Sequence, residues 1–254
     1  MRAFRELAAD PDPAGARLLL DGLHQLRDAR AAGAELEVVA VAGSHLLSLS
    51  EEGDLARAIE GDGVQVFFVS DQALAAMSPV RTPSGIVAIA RRTPTNAATI
   101  CKRENGFTLV AADVQDPGNL GSLIRAAEAG GVTGALVCGV SANPFSWKAL
   151  RGSMGSALRL PIAHGLEVLD VLSCAKQFGA TTVAAVPRDG RAPDAVDWSG
   201  RVALFVGGEG HGLTADIVAQ CDDRVTIPMT PPVESLNVAV AAAILIYAAR
   251  RQRA

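Results

Sequence analysis

The chain has 254 residues, 49% of them hydrophobic and 20% charged, with 23 basic and 27 acidic side chains for a formal net charge of −4. That length and apolar share support a buried core and exclude a disordered chain. The acidic balance excludes a broad positive field of the kind that binds nucleic acid indiscriminately.

The imbalance is uneven along the chain. Residues 1–100 carry nine basic and thirteen acidic groups, and residues 101–254 carry fourteen of each. Only Lys102, Lys148 and Lys176 are lysine, so a phosphate partner must be met by a few placed arginines. The longest apolar run, 238–249, is too short for a bilayer span of about 20 residues. The start, Met1-Arg-Ala-Phe-Arg-Glu, lacks the apolar stretch of a signal peptide. Cys101, Cys138, Cys174 and Cys221 are far apart and form no C-x-x-C pair, which predicts reduced thiols in a cytoplasmic protein. His24, His45, His164 and His211 are scattered, so no metal site is expected.

From the amino terminus, leucines at 19, 20, 23 and 26 recur at helical spacing and predict an amphipathic helix over 16–31. β-Rich runs follow at 36–41, 64–69 and 85–90, with helical pieces at 54–60 and 71–77. Together they predict a small α/β unit. The polar, proline-bearing stretch 91–105 predicts a linker between domains 1–95 and 105–254. Beyond it, apolar runs at 107–112, 135–138, 181–186 and 202–206 read as buried parallel strands. Helices are predicted at 120–129, 166–178, 214–220 and 235–251, giving an α/β sheet with helices on both faces.

Several common motifs are missing. There is no Gly-Lys-Ser/Thr phosphate loop, no G-x-G-x-x-G dinucleotide turn, no G-x-S-x-G elbow and no H-E-x-x-H. Three other segments are unlike plain scaffold. The first, Asp113-Val-Gln-Asp-Pro-Gly-Asn119-Leu-Gly121-Ser-Leu-Ile-Arg125, follows the strand at 107–112, and the carboxyl ends of parallel strands are where such sheets place ligands. Pro117-Gly118 predicts a turn and Asn119 a helix N-cap. The second, Leu204-Phe-Val206-Gly207-Gly208-Glu209-Gly210-His211-Gly212-Leu213, has four glycines in six positions, where a simple turn needs one. The third runs Val225-Thr-Ile227-Pro-Met229-Thr-Pro-Pro-Val-Glu-Ser235-Leu236-Asn237. A strand is expected to end at Pro228, and Ser235 or Asn237 to cap the last helix, whose first N–H groups then face outward.

Read singly, each segment has a plain account as cap or turn. Their order and combination resemble the three signature motifs of the SpoU (TrmH-like) RNA ribose 2′-O-methyltransferases. The resemblance extends forward: Arg17-Leu-Leu-Leu-Asp-Gly through Met77-Ser-Pro-Val-Arg-Thr-Pro-Ser-Gly-Ile is similar to the L30e-like substrate-binding domain that precedes the catalytic domain in many members. It implies an α/β fold with a carboxyl-terminal trefoil-knotted (SPOUT) methyltransferase domain, a topology that periodicity could not have supplied.

The resemblance implies S-adenosylmethionine as cofactor, in a pocket built from Leu204, Val206, Gly207, Gly208, Gly212, Ile227, Met229, Ser235 and Leu236. It implies Asn119, Arg125, Glu209 and Asn237 as the catalytic group, and Arg125, Arg151 and Ser153 as RNA contacts. A guanidinium is a poor base because its pKa lies above about 12, so Arg125 is expected to clamp a phosphate and polarise the 2′-hydroxyl. The proton's acceptor is left open. Pro231-Pro232 departs from the family pattern, where glycine is frequent. A homodimer through the last helix is implied, with Val240, Ile244 and Tyr247 as an apolar stripe. The expected substrate is RNA, rRNA ahead of tRNA. The competing readings are a tRNA enzyme, a non-catalytic RNA-binding member and a small-molecule methyltransferase.

Overall fold

In the computed structural model, residues 1–45, 50–208 and 210–253 are described. Two sheets are present. The first holds β1 (Arg17–Asp21), β2 (Glu35–Ala42), β3 (Gln65–Val69) and β4 (Ile86–Arg91) in the order β1-β4-β2-β3. β4 pairs antiparallel with both β1 and β2, and β2 pairs parallel with β3. Helices α2 (Leu23–Ala31) and α3 (Glu51–Gly61) cover one face, while α1 (Arg2–Ala9) and α4 (Asp71–Ala75) cover the other.

The helix expected over 16–31 is a strand followed by a shorter helix. Leu18 and Leu20 enter the core on the α2–α3 face and Leu19 enters the core on the α1–α4 face, the two-residue alternation of a strand. Gly22, at φ 103°, then breaks the chain into α2. Three consecutive leucines satisfy both periods, and only the second face of the sheet decides between them.

The second sheet contains β5 (Phe107–Ala112), β6 (Gly134–Cys138), β7 (Ile162–Leu166), β8 (Thr181–Ala185), β9 (Val202–Gly207) and β10 (Asp223–Val225). Its order is β10-β8-β9-β5-β6-β7 and every pairing is parallel. α6 (Pro117–Ala129), α7 (Trp147–Ser153), α8 (Ser156–Arg159) and α11 (Val238–Arg253) pack on one face. α5 (Ala97–Cys101), α9 (Val168–Gln177) and α10 (Ala215–Gln220) pack on the other. β5 and β6 are buried along their whole length, which is why they read as continuous apolar runs. β7 was not expected. It is an edge strand with only Ile162 and Ala163 buried, and His164-Gly165 interrupts its pattern. The stretch read as a linker contains α5, whose Ile100 and Cys101 are buried under the second sheet.

A seam joins the two sheets. The Asp12 carboxylate accepts from the N–H groups of Ala14, Ala16 and Arg17, and Asn143 Nδ2 donates to the Asp12 carbonyl at 3.0 Å. Gly15, at φ 62°, lies so close to β7 that a β-carbon there would sit 2.5 Å from Phe145 Cδ2 and 2.7 Å from His164 Nε2. The Arg92 guanidinium lies 4.0 Å from the Phe145 ring centroid and donates to the Gly15 carbonyl. Arg159 pairs with Asp28 at 3.0 Å and with Glu128 at 2.8 Å. Burial lowers the His164 imidazole below its ordinary pKa. Among the described residues no helix is long and apolar enough to cross a membrane, and no group of three or more His, Cys, Asp or Glu side chains is placed to hold a metal.

Candidate active site

The carboxyl end of β5 leads directly into α6. Asp116 caps that helix: its Oδ1 accepts from the Asn119 N–H at 2.7 Å, and Pro117 occupies the first turn, where its missing N–H costs nothing. Asn119 is therefore not the cap that the sequence predicts. It is the third residue of α6, and its side chain is directed elsewhere. Asn237 Nδ2 donates to Asn119 Oδ1 at 2.9 Å, across 118 residues of sequence.

Asn237 has a second role. Its Oδ1 accepts from the N–H groups of Ala239 at 2.9 Å and Val240 at 3.4 Å, so it caps α11 as one of the two expected candidates. One amide thus orders the start of α11 through its oxygen and the start of α6 through its nitrogen. Two motifs that read separately as helix caps form a single hydrogen-bonded pair. Ser235 is exposed and does not cap.

Arg125 lies six residues past Asn119 on α6. It is exposed and has no ion pair or side-chain hydrogen bond among the described residues. Arg151, at the end of α7, is exposed and uncommitted in the same sense. Ser153 is different. It is fully buried, its Oγ donates to the Leu150 carbonyl at 2.9 Å and accepts from the Ala157 N–H at 3.3 Å. The expectation that Ser153 touches a phosphate is overturned: the hydroxyl joins α7 to α8. The cause is close helix packing. A β-carbon on Gly121 would lie 2.5 Å from the Ala149 carbonyl and 2.9 Å from the Ser153 N, so α6 and α7 meet backbone to backbone over that serine. The arginines at the carboxyl terminus are also occupied: Arg250 donates to the Ala129 carbonyl, Arg251 to Asp194, and Arg253 to the Gly200 carbonyl.

The glycine loop follows β9. A β-carbon on Gly208 would lie 1.8 Å from the Asp113 carbonyl oxygen, and one on Gly207 would lie 2.1 Å from Gly212 C. Gly208 and Gly212 form an isolated antiparallel bridge that closes the loop. Gly210 and Gly212, at φ 96° and 62°, have open space where a side chain would be. Two of the four glycines are therefore required by chain-on-chain contact, and two by left-handed backbone that faces outward. Glu209 lies outside the described residues. Leu204 and Val206 have their side chains in the core. Leu204 is paired in the sheet on both sides, whereas Val206 is paired only with β5.

Opposite this loop, Ile227 and Met229 are half-buried and Leu236 is 37% exposed. The Arg188–Glu234 pair at 3.2 Å ties the loop after β8 to this segment, a contact no sequence signal marked. Backbone groups at 206–208 and 212 and the half-buried side chains of Ile227 and Met229 are of the two kinds an adenosyl group needs, main-chain partners and apolar surface. Leu204 and Val206, whose side chains lie in the core, could meet a cofactor only through their backbone or from beneath.

A family model described as the SpoU rRNA methylase family matches residues 106–247. The chain is 33% identical to an uncharacterized tRNA/rRNA methyltransferase of Synechocystis over 93% of this chain and 85% of that one. It is 33% identical to the 23S rRNA guanosine 2′-O-methyltransferase RlmP of Bacillus subtilis over 73% and 72%. Among solved structures, an AdoMet-bound rRNA methyltransferase from Sinorhizobium meliloti superposes with a TM-score of 0.85 at 25% identity, covering 98% of this chain and 93% of that one. The SpoU methyltransferase AviRb from Streptomyces viridochromogenes, also with AdoMet, gives 0.83 at 25% identity over 99% and 97%.

Proposed function

This chain belongs to the SpoU rRNA methylase family, and on that footing we propose that it transfers a methyl group from S-adenosylmethionine to a ribose 2′-hydroxyl of 23S rRNA. The observation that carries the reading is the Asn237–Asn119 bond, which brings the first and third motifs together.

When bound, S-adenosylmethionine supplies a methyl group on a positively charged sulfur, open to in-line displacement by an oxygen. Val206, Gly207, Gly208 and Gly212 would hold it through their backbone, with Ile227, Met229, Ser235 and Leu236 closing over it. Arg125 binds the phosphate beside the target ribose and draws electron density from the 2′-hydroxyl. Asn119, its orientation set by Asn237, positions that hydroxyl. Arg151 holds a neighbouring phosphate. Glu209 is the one carboxylate of the glycine loop and the residue to test as proton acceptor by the pH–rate profile of Glu209→Gln.

Three structural proposals belong to the same reading. Residues 1–95 form an L30e-like RNA-binding unit and residues 105–254 the catalytic unit. The segment after β9 is knotted with that after β5, a reading supported by the backbone contact of Gly208 on Asp113. The chain works as a cytoplasmic homodimer, supported by Val240, Ile244 and Tyr247, which expose apolar surface along one side of α11; Ile244→Glu then yields monomers by light scattering.

The substrate is tested with rRNA and tRNA from cells lacking the protein, labelled S-adenosylmethionine and mapping of ribose methyl groups. Label in one position of 23S rRNA is expected. Label in tRNA alone, or in neither, overturns the assignment.

A further inference from the structure

Residues 1–92 contain nine arginines. Among the described residues, six of them form ion pairs with carboxylates and two donate to backbone carbonyls. Arg81 does neither, and it is exposed. In a region where acidic side chains outnumber basic ones, it is the arginine whose guanidinium has neither a carboxylate nor a carbonyl partner among the described residues.

The loop that carries it is held from both sides by one carboxylate. Ser78 Oγ donates to Asp21 Oδ2 at 2.5 Å and Ser84 Oγ donates to Asp21 Oδ1 at 2.9 Å. Val80 N–H returns to Ser78 Oγ at 3.2 Å. Pro79 and Pro83 fix φ on either side of the arginine. The two serines also occupy both oxygens of Asp21, the carboxylate that fastens the loop. The result is a preformed mount for a guanidinium, and preformed groups bind with less loss of conformational entropy.

We propose that Arg81 is a phosphate contact for the substrate RNA on the amino-terminal sheet, a second anchor beside Arg125 and Arg151. The proposal rests on the RNA-methyltransferase reading and adds a residue to it. A guanidinium fork meets a phosphodiester through two parallel N–H···O bonds. It also explains how an acidic half of the chain meets a polyanion: through one mounted charge, six of the other arginines being paired with carboxylates and two held by backbone carbonyls.

The test uses a 23S rRNA transcript titrated with the wild-type chain, Arg81→Ala and Arg57→Ala across a salt series. Arg57, paired with Asp54 at 2.6 Å, is the charge-matched control. Arg81→Ala is expected to weaken binding roughly three- to ten-fold and to lower the slope of log affinity against log salt by about 0.7–0.9. It raises KM for the transcript and leaves kcat and S-adenosylmethionine affinity at wild-type values. Wild-type slope and affinity in Arg81→Ala overturn the proposal. An equal loss in Arg57→Ala also overturns it, because net charge alone would then account for the effect. A wild-type chain that binds S-adenosylmethionine but no RNA instead removes the functional reading beneath it.

Discussion

Asn237 allows stability and activity to be separated by a single atom. In Asn237→Ala, α11 loses its cap, worth about 1 kcal/mol, and the amide bond to Asn119 at 2.9 Å, worth about another 1 kcal/mol net. At about 2–4 °C per kcal/mol for a chain of this size, the melting temperature falls by roughly 5 °C. Asn237→Asp behaves differently. The carboxylate still accepts from the Ala239 and Val240 N–H groups, and its charge suits a helix amino terminus. The melting temperature therefore stays within about 2 °C of wild type. The donor to Asn119 is gone, however, and two oxygens would face each other. Asn119 must turn its amide over, presenting the opposite end to the substrate. Loss of one preorganised polar contact in a transition state lowers kcat by about 10²–10³. Differential scanning fluorimetry and single-turnover methyl transfer read the two effects. An aspartate variant that is as unstable as the alanine variant, or as active as wild type, refutes the reasoning.

Arg125→Ala, which removes no side-chain partner among the described residues, leaves the melting temperature unchanged and lowers methyl transfer by about 10² or more; a normal rate removes Arg125 from the catalytic group. Ser153→Ala lowers stability by about 1 kcal/mol in a denaturant titration, with RNA affinity unchanged, because its hydroxyl is buried between α7 and α8. Gly208→Ala places a β-carbon against the Asp113 carbonyl and costs about 3 kcal/mol or more, with S-adenosylmethionine binding lost in calorimetry. His164, packed with Phe145 and flanked by Arg92, Asp12 and the Ala14 backbone, has its pKa lowered by burial. The unfolded chain takes up a proton near the ordinary value of 6.5 and the folded chain resists it. Stability is therefore full above pH 6.5 and falls as the pH drops through the lowered value; denaturant midpoints at pH 7.5 and 5.5 should lie closer together in His164→Gln.

How much of this was legible depended on how many faces of an element are covered. β5 was read with its own bounds, since a strand buried on both sides leaves an unbroken apolar record. β1 was misread because Leu18, Leu19 and Leu20 satisfy helix and strand alike until a second face is known. The site was legible as residues and illegible as geometry. Asn119 and Asn237 were both singled out, but each as a cap, and their meeting is a contact between segments 118 positions apart. Asp116-Pro117 was the stronger cap signal and was visible. Ser153 was singled out only through the family resemblance, and the helix contact at Gly121 that buries it leaves no local pattern. Arg81 could not be told from its eight neighbours before their partners were known.

The seam between the sheets bears on what the enzyme can recognise. With Gly15 against Phe145 and His164, and Arg159 paired with Asp28 and Glu128, the two sheets that carry Arg81 and Arg125 are tied into one body. Such a body acts as a caliper. A flexible strand reaches both jaws only by giving up conformational freedom, whereas a folded RNA that already spans the gap gives up little. Selection by such a body would fall on the architecture of the target more than on its letters.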